Sequence, residues 1–475
     1  MKSQSKYRAV FSFAICTIII FAFMEYKNVT RYWWDADEYR YIAQTFISGG
    51  RFSFNPTRFN NRAYTWPLVY ALLTGFGHFS IHVFRFLNSL MYAFLMCVIM
   101  GNLFEEIFEI KISGIKRSVP VILTVMFWPG LILYPLIDIM AVLTSMISVY
   151  MFYLMYKRDN MPGVFALAVI SGFASDAALN MRATYKYCMY AGIIVLLIMS
   201  VKKRKVSFLA VSVAGYVLGA GISAAPQIYA NWINYGIIGW DNPLSYWNGG
   251  NRMVYLLYEG YINPRIECYI GPGSNEWISA AITSVDPVAN AIFHKYGVEM
   301  DLAEQYALTD FIRMVLRHPA ESAAMYTSHA INCLDARYGI IYIESFGGVY
   351  RYLLQALTIV IYETLFIDAH IRLKGSLDSG NGVKRVVLSR WFPVACFILI
   401  PVAVSLPGHI EPRYAVAFHL LVYAYLAYKA DLIKVRDWVK AHAVTALVLY
   451  ICLFSVLTLV QNWSLGLSGY NEFLY

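Results

Sequence analysis

WWDADEYRYIAQTFI, residues 33–47, is the stretch on which the reading of this chain turns. Tyr39, Ile42, Ala43, Phe46 and Ile47 recur at i, i+3, i+4, i+7 and i+8, the spacing of one helical face, which predicts a short amphipathic helix lying on a membrane surface. Its other face is polar. Asp35 and Glu38 have the spacing of a capping box, in which Asp35 accepts a hydrogen bond from a first-turn amide and Glu38 reaches back to the cap. Asp37 is then left without a structural duty, beside Arg40 and Tyr41 at i+3 and i+4 and turned away from lipid. A merely solvated, capped helix start has the same pattern, so the surroundings must decide.

Those surroundings are apolar. Of 475 residues, 59% are hydrophobic, 16% aromatic and only 14% charged, too little polar surface to cover a soluble particle of this size. The expected fold is an all-α polytopic membrane protein with eleven spans, at 9–24, 81–104, 119–136, 139–156, 162–179, 187–201, 206–230, 350–371, 391–406, 414–428 and 441–460. The formal net charge of +9 does not point to nucleic acid, because the cations gather in short breaks between apolar runs. Lys111, Lys116 and Arg117, then Lys157 and Arg158, then Lys202 to Lys205, then Arg372, Lys374, Lys384 and Arg385, then Lys429, Lys434, Arg436 and Lys440 fall in alternate loops, as expected of cytoplasmic loops. Lys2, Lys6 and Arg8 precede the first apolar run and no small-residue cleavage site follows, which reads as an uncleaved anchor with a cytoplasmic N-terminus.

The expected organisation is a membrane module at 1–230, with the charged helix in its first outer loop (25–65), an outer loop domain of mixed structure at 231–349, and further membrane helices at 350–475. Residues 231–349 carry twelve Asp/Glu against six Lys/Arg, which suits a translocated segment. WDNPLSYWNGG and IGPGSNEW mark turns there, ahead of a helical stretch at 299–335. Their aromatic residues suit stacking on sugar faces or anchoring at the headgroup level. Five of the seven cysteines sit in apolar segments; Cys268 and Cys333 fall in the outer loop, where they could form a disulfide in an oxidising compartment. No cysteine or histidine spacing suggests zinc.

Charge at a membrane boundary is costly, so the groups placed on the outer side are read together: Asp35, Asp37 and Glu38; Arg58 and Arg62; His82 and Arg85; Asp138; Arg182 and Lys186; His409, Glu411 and Arg413. Carboxylates can remove a proton, and guanidinium groups can hold a lipid phosphate through paired hydrogen bonds. Asp35-Ala36-Asp37 also matches the short DxD pattern of metal-dependent transferases that use nucleotide sugars, although a donor built on a lipid phosphate suits a site facing away from the cytoplasm better. Glycine loops that cradle phosphate, HExxH and GxSxG are absent.

DADEYRYIAQTFISGG followed by the Trp66-Pro67-Leu68-Val69-Tyr70 run resembles the first outer loop of the GT-C superfamily of membrane glycosyltransferases, which includes protein O-mannosyltransferases and aminoarabinose transferases. Arg85 with Asn88, Pro135 with Asp138, Arg182-Ala183-Thr184 and the late HIEPRY at 409–414 resemble further family positions in the same order, while the long outer loop matches nothing in the family. The resemblance implies an inverting transfer of a sugar from a polyprenyl-phosphate donor to a glycan or glycolipid acceptor on the outer face. It places Asp37 as general base, with Glu38 orienting it or coordinating a divalent metal, and Asp35 as the alternative base. It assigns Arg182 and Arg413, with Lys186 and His409, to the donor phosphate, and makes Asp138 a second acidic position. A bacterial inner membrane with a periplasmic site and lipopolysaccharide or O-antigen as acceptor is one expected setting. A eukaryotic lumen is the other, with Asn28-Val29-Thr30 and Asn462-Trp463-Ser464 as sequons. Two competing classes remain open, a transporter or lipid flippase and an O-antigen polymerase or ligase. The former places its charge near mid-membrane in related halves, and the latter lacks an acidic cluster after the first span.

Overall fold

The computed structural model describes residues 2–30, 34–49, 63–76, 80–134, 136–240, 252–262, 286–335, 349–377, 391–408 and 410–466, and the elements among them are helical. In chain order they are α1 (Lys2–Lys27), α2 (Trp34–Gly49), α3 (Thr65–Phe76), α4 (Ile81–Phe108), α5 (Gly114–Phe127), α6 (Pro129–Leu133), α7 (Ile137–Tyr156), α8 (Met161–Met181), α9 (Lys186–Lys203) and α10 (Val206–Tyr235). There follow α11 (Arg252–Ile262), α12 (Pro287–Tyr296), α13 (Leu308–Arg317), α14 (Pro319–Cys333), α15 (Val349–Leu377), α16 (Phe392–Ser405), α17 (Val416–Tyr428), α18 (Leu432–Ala441) and α19 (Ala443–Gly466).

Among the described residues eight helices, α1, α4, α7, α8, α9, α10, α15 and α19, are long and apolar enough to cross a bilayer, as a multi-pass membrane protein requires. A ninth is reached if α17 and α18, which meet at 88°, count as one broken span. The expected span at 119–136 is interrupted at Trp128, because Pro129 has no N–H to give and disfavours helical backbone in the residue before it. That leaves α5 with 14 residues, or about 21 Å against the ~30 Å hydrocarbon core. Likewise α16 has 14 residues and α17 has 13.

The chain falls into two compact units, one of Met1–Val125, Leu131–Pro243 and Val386–Pro401, the other of Met126–Gly130, Leu244–Arg385 and Val402–Tyr475. In the first unit, α1 and α4 run antiparallel: Glu25 near the end of α1 meets Arg85 near the start of α4 at 3.0 Å, while Cys97 farther along α4 lies 3.9 Å from the Ser12 carbonyl. The far end of α4 packs against the start of α5, where the buried Arg117 donates to the Cys97 carbonyl (2.6 Å) and to Asn102 (3.0 Å) and pairs with Glu105 (2.9 Å). Lys157 pairs with Glu106 at this same end, and Lys203 lies 2.5 Å from the Arg158 carbonyl. The basic loops 111–117, 157–158 and 202–205 thus gather at one end of the bundle.

The tightest contact of the unit joins α8 and α10. A Cβ on Gly172 would stand 1.9 Å from the Tyr216 carbonyl oxygen, and one on Gly219 would stand 1.9 Å from the Val169 carbonyl oxygen, so the two antiparallel helices touch backbone to backbone. Close approach of this kind is how apolar helices gain dispersion energy where lipid removes the hydrophobic drive. Tyr216 fills the adjacent space, its hydroxyl 2.8 Å from Ser175 Oγ and 3.2 Å from the Met189 carbonyl. Gly215 and Gly219 at i and i+4 are the sequence signal for this seam.

In the second unit, the described segments 252–262 and 286–335 are mostly helical. Tyr258 and Tyr261 of α11, Phe293 of α12 and Phe311 and Met314 of α13 share a core. The Tyr258 and Phe311 rings meet edge-on with centroids 5.1 Å apart, and burial pushes the Tyr258 phenol up to about 12. These aromatic residues therefore serve as packing material. The helical stretch expected at 299–335 is made of a 3-10 turn at Met300–Gln305 followed by α13 and α14, which part at His318 where Pro319 opens α14. Cys333 carries a buried thiol that is not in a disulfide; Cys268 and the quoted turns lie outside the described residues.

Gly219→Leu should force α8 and α10 apart and lower the melting temperature of the purified protein in detergent, by the ~1–3 kcal/mol typical of overpacking or more. Gly221→Ala, whose Cβ meets nothing within 4 Å, is the control and should melt as the parent does. Equal melting of the two variants would show that the seam does not hold the unit.

Candidate functional site

The opposite end of the first unit carries the candidate residues. There α2 lies with Ala36, Tyr39, Ile42 and Ala43 buried, so the first part of the expected apolar face is inward, while Phe46 and Ile47 are only half-buried. Ile42 packs with Tyr64 and with Ala230 near the end of α10. The Tyr64 amide donates to Gln227 Oε1 (2.9 Å), Gln227 donates to Asn231 (2.8 Å), and Asn231 donates to the Gly239 carbonyl (2.7 Å). This chain of bonds fixes Tyr64, just ahead of α3, on α10.

The helix starts at Trp34, one residue ahead of the cap expected at Asp35, so Asp35 lies in its first turn. Acidic residues near a helix start are still favoured by the macrodipole. Asp37 and Glu38 are both half-buried. The side chain of Asp35 lies outside the description, as do Arg58, Arg62, Pro135 and His409.

Before α2, the chain is held by Arg85. This side chain is 2% exposed and donates to Glu25 (3.0 Å), to Asn28 Oδ1 (3.1 Å) and to the Val29 carbonyl (2.9 Å), while His82 also reaches Glu25 at 2.8 Å. Asn28 takes a left-handed backbone with φ of 46°. Arg85 is thus a structural clasp on the turn that leads from α1 into α2, and Glu25, its carboxylate, is a residue that sequence reasoning passed over. Asn88, one turn on, lies 3.4 Å from the Tyr92 hydroxyl, which bonds the Leu131 carbonyl at 3.1 Å.

Asp138 opens α7 and Arg182 closes α8, and the structure brings them together: Arg182 Nη1 donates to Asp138 Oδ1, with the carboxylate 1% and the guanidinium 15% exposed. Each sits at the helix end whose dipole suits its charge. Lys186 begins α9 four residues beyond Arg182. Within α8, Asp176 is fully buried and accepts from Asn180 at 2.8 Å. It is the one charged residue between Met161 and Met181, a signal legible in the sequence but not used.

In the second unit Arg413 is held by Glu411 (2.5 Å), both almost fully buried, and the Tyr414 hydroxyl donates to the same carboxylate (2.7 Å). A cavity of about 260 Å3 opens in the first unit between α2, α3 and the start of α4, with Arg40 and Gln44 on its α2 wall. Among the described residues no group of three or more His, Cys, Asp and Glu side chains is gathered as a metal would need. One end of this unit therefore collects half-buried carboxylates, a cavity, and arginines locked by acids.

No protein-family model matches the chain, and no curated protein or solved structure matches it.

Arg182→Ala takes the guanidinium away from a carboxylate that is 1% exposed. It should cost about 3–5 kcal/mol, read as a lower melting temperature in detergent, and adding Asp138→Asn should recover most of the loss, because a neutral amide needs no cation. Unchanged melting of Arg182→Ala would show that the pair adds nothing to stability.

Proposed function

We propose that this chain is an integral membrane glycosyltransferase that moves a sugar, with inversion, from a polyprenyl-phosphate donor to a glycan or glycolipid acceptor. The observation that carries the reading is the half-buried Asp37 and Glu38 pair, held on an amphipathic helix at the end of the bundle opposite the basic loops. By the charge rule the basic end faces the cytoplasm, and the acidic helix then faces the periplasm of a bacterial inner membrane or an equivalent lumen. Counting α5 with α6, α16 and α17 as crossings beside the eight long helices gives the eleven that this orientation uses.

In the reaction the acceptor oxygen bonds to the anomeric carbon, the bond from that carbon to the phosphate oxygen breaks, and the polyprenyl phosphate leaves with the electron pair. Asp37 takes the hydroxyl proton. Half-burial beside a lipid boundary suits a general base, since it limits competing hydration while leaving the carboxylate reachable. Glu38 follows it on the helix as the assisting acid or the ligand of a divalent metal. Arg182 and Arg413, with Lys186 and His409, are the donor-phosphate residues that the family resemblance suggests. Each of the two arginines has five N–H donors, more than one carboxylate engages, so an ion pair with Asp138 or Glu411 leaves hydrogen-bonding capacity for a phosphate.

Reconstituted protein should transfer radiolabelled sugar from a polyprenyl-phosphate donor to extracted cell-surface glycolipid. Asp37→Asn should reduce that rate by about 10²–10⁴ with insertion and abundance unchanged. Near-normal transfer by Asp37→Asn with loss in Asp35→Asn moves the base, and uptake of a solute into sealed vesicles without transfer sinks the reading.

A further inference from the structure

The arginines at depth are matched with acids. Among the described residues Arg85 faces Glu25, Arg117 faces Glu105, Arg182 faces Asp138 and Arg413 faces Glu411. Arg40 is half-buried too, yet it makes no ion pair or hydrogen bond among the described residues; instead it lines the cavity of about 260 Å3 between α2, α3 and α4. A guanidinium withdrawn from water without an anion is unfavourable, and an anion supplied from outside the chain removes the penalty.

The rest of the lining suits such an anion. Gln44, Thr74 and Ser80 bring an amide and two hydroxyls to the same cavity, and the Ser80 side chain, although it precedes α4, makes no capping bond that would use it up. Phosphate oxygens accept from the Gln44 amide and the Ser80 hydroxyl, and most strongly from an arginine, whereas the Thr74 hydroxyl already donates to the Tyr70 carbonyl (2.8 Å). Ile81 and Phe84 supply an apolar wall. Ile81 is the first residue of a membrane-length helix, so the cavity sits where the headgroup region meets hydrocarbon. Its volume is just below the ~300–1,000 Å3 of pockets that enclose a whole small ligand, enough for a headgroup and its first chain carbons.

We propose that the Arg40 cavity binds the phosphate group of a membrane lipid, with Arg40 as its cation and Ile81 and Phe84 against the first carbons of the chain. Taking that lipid as the polyprenyl-phosphate donor rests on the glycosyltransferase reading, and gives the donor's phosphate to Arg40 in place of Arg182 and Arg413, which do not line this cavity. Arg40 lies one turn from Asp37, with Cβ atoms about 5–6 Å apart, so the departing phosphate and the proton acceptor then share one helix face.

The test is binding of a fluorescent polyprenyl monophosphate to the purified full chain in detergent, with inorganic phosphate and the phosphate-free polyprenol as competitors. Arg40→Ala should weaken binding by about 10- to 100-fold, the range for losing a charge-assisted hydrogen bond, and Arg40→Lys should recover part of it. Should Arg40→Ala not fold, Gln44→Glu, which sets a carboxylate on the cavity wall from an exposed position, should weaken binding in the same way. Neither competitor should displace the probe at concentrations where unlabelled polyprenyl monophosphate does. Equal binding by the parent, Arg40→Ala and Gln44→Glu overturns the site, and displacement by inorganic phosphate as effective as that by the lipid overturns its assignment to a lipid. Arg40-dependent binding by a parent protein that transfers no sugar would retire the glycosyltransferase reading and leave the headgroup site standing.

Discussion

Charge at the mouth of an apolar helical bundle is stable only when it is matched, and the first unit is built on that constraint. Glu25 and Arg85 are sixty residues apart in the chain and belong to helices that the hydrophobic pattern alone would leave free to slide. Their pairing, with Asn28 and the Val29 carbonyl drawn onto the same guanidinium, sets where the chain leaves α1 and hence where α2 can lie. Asp138 and Arg182 perform the equivalent service for α7 and α8. A buried pair of this sort adds little net stability against an apolar alternative, but it permits one register and penalises the others.

Between these clasps the helices are pulled in by close packing. The glycine seam of α8 and α10 brings two backbones into contact, and α10 then presents Gln227 and Asn231 to the segment that follows α2. Arg85 thus holds Asn28 and the Val29 carbonyl ahead of the acidic helix, and Gln227 holds the Tyr64 amide beyond it. A proposed catalytic carboxylate gains from such support, because its usefulness depends on staying within hydrogen-bonding reach of a substrate hydroxyl. Against this frame Arg40, which has no acid partner among the described residues, stands out as the group for which an outside anion is proposed.

Much of the architecture was legible in residue order. The long spans appear where apolar runs of sufficient length occur, and Tyr39, Ile42 and Ala43 turn inward as their spacing requires. Expectations failed where a local rule met a stronger neighbour. Pro129 breaks a stretch apolar enough to span, and the start of α2 moves ahead of the acid expected to cap it. The Tyr and Phe residues of α11 to α13 were given no role from residue order. They are core, because several short helices can bury their aromatic faces only against one another.

Residue order by itself determined the helical class, the positions of the long apolar helices and the separation of basic loops from the acidic helix, because periodicity, apolar length and loop charge are all properties of short stretches. Only the tertiary structure decided which charges neutralise which, since Asp138 and Arg182 are 44 residues apart and meet solely because α7 and α8 pack antiparallel. The same packing decided that Arg40, three residues from Asp37, lines a cavity. Electrostatic partnership acts through space over a few ångströms, and no spacing within the chain specifies it until the helices are in place.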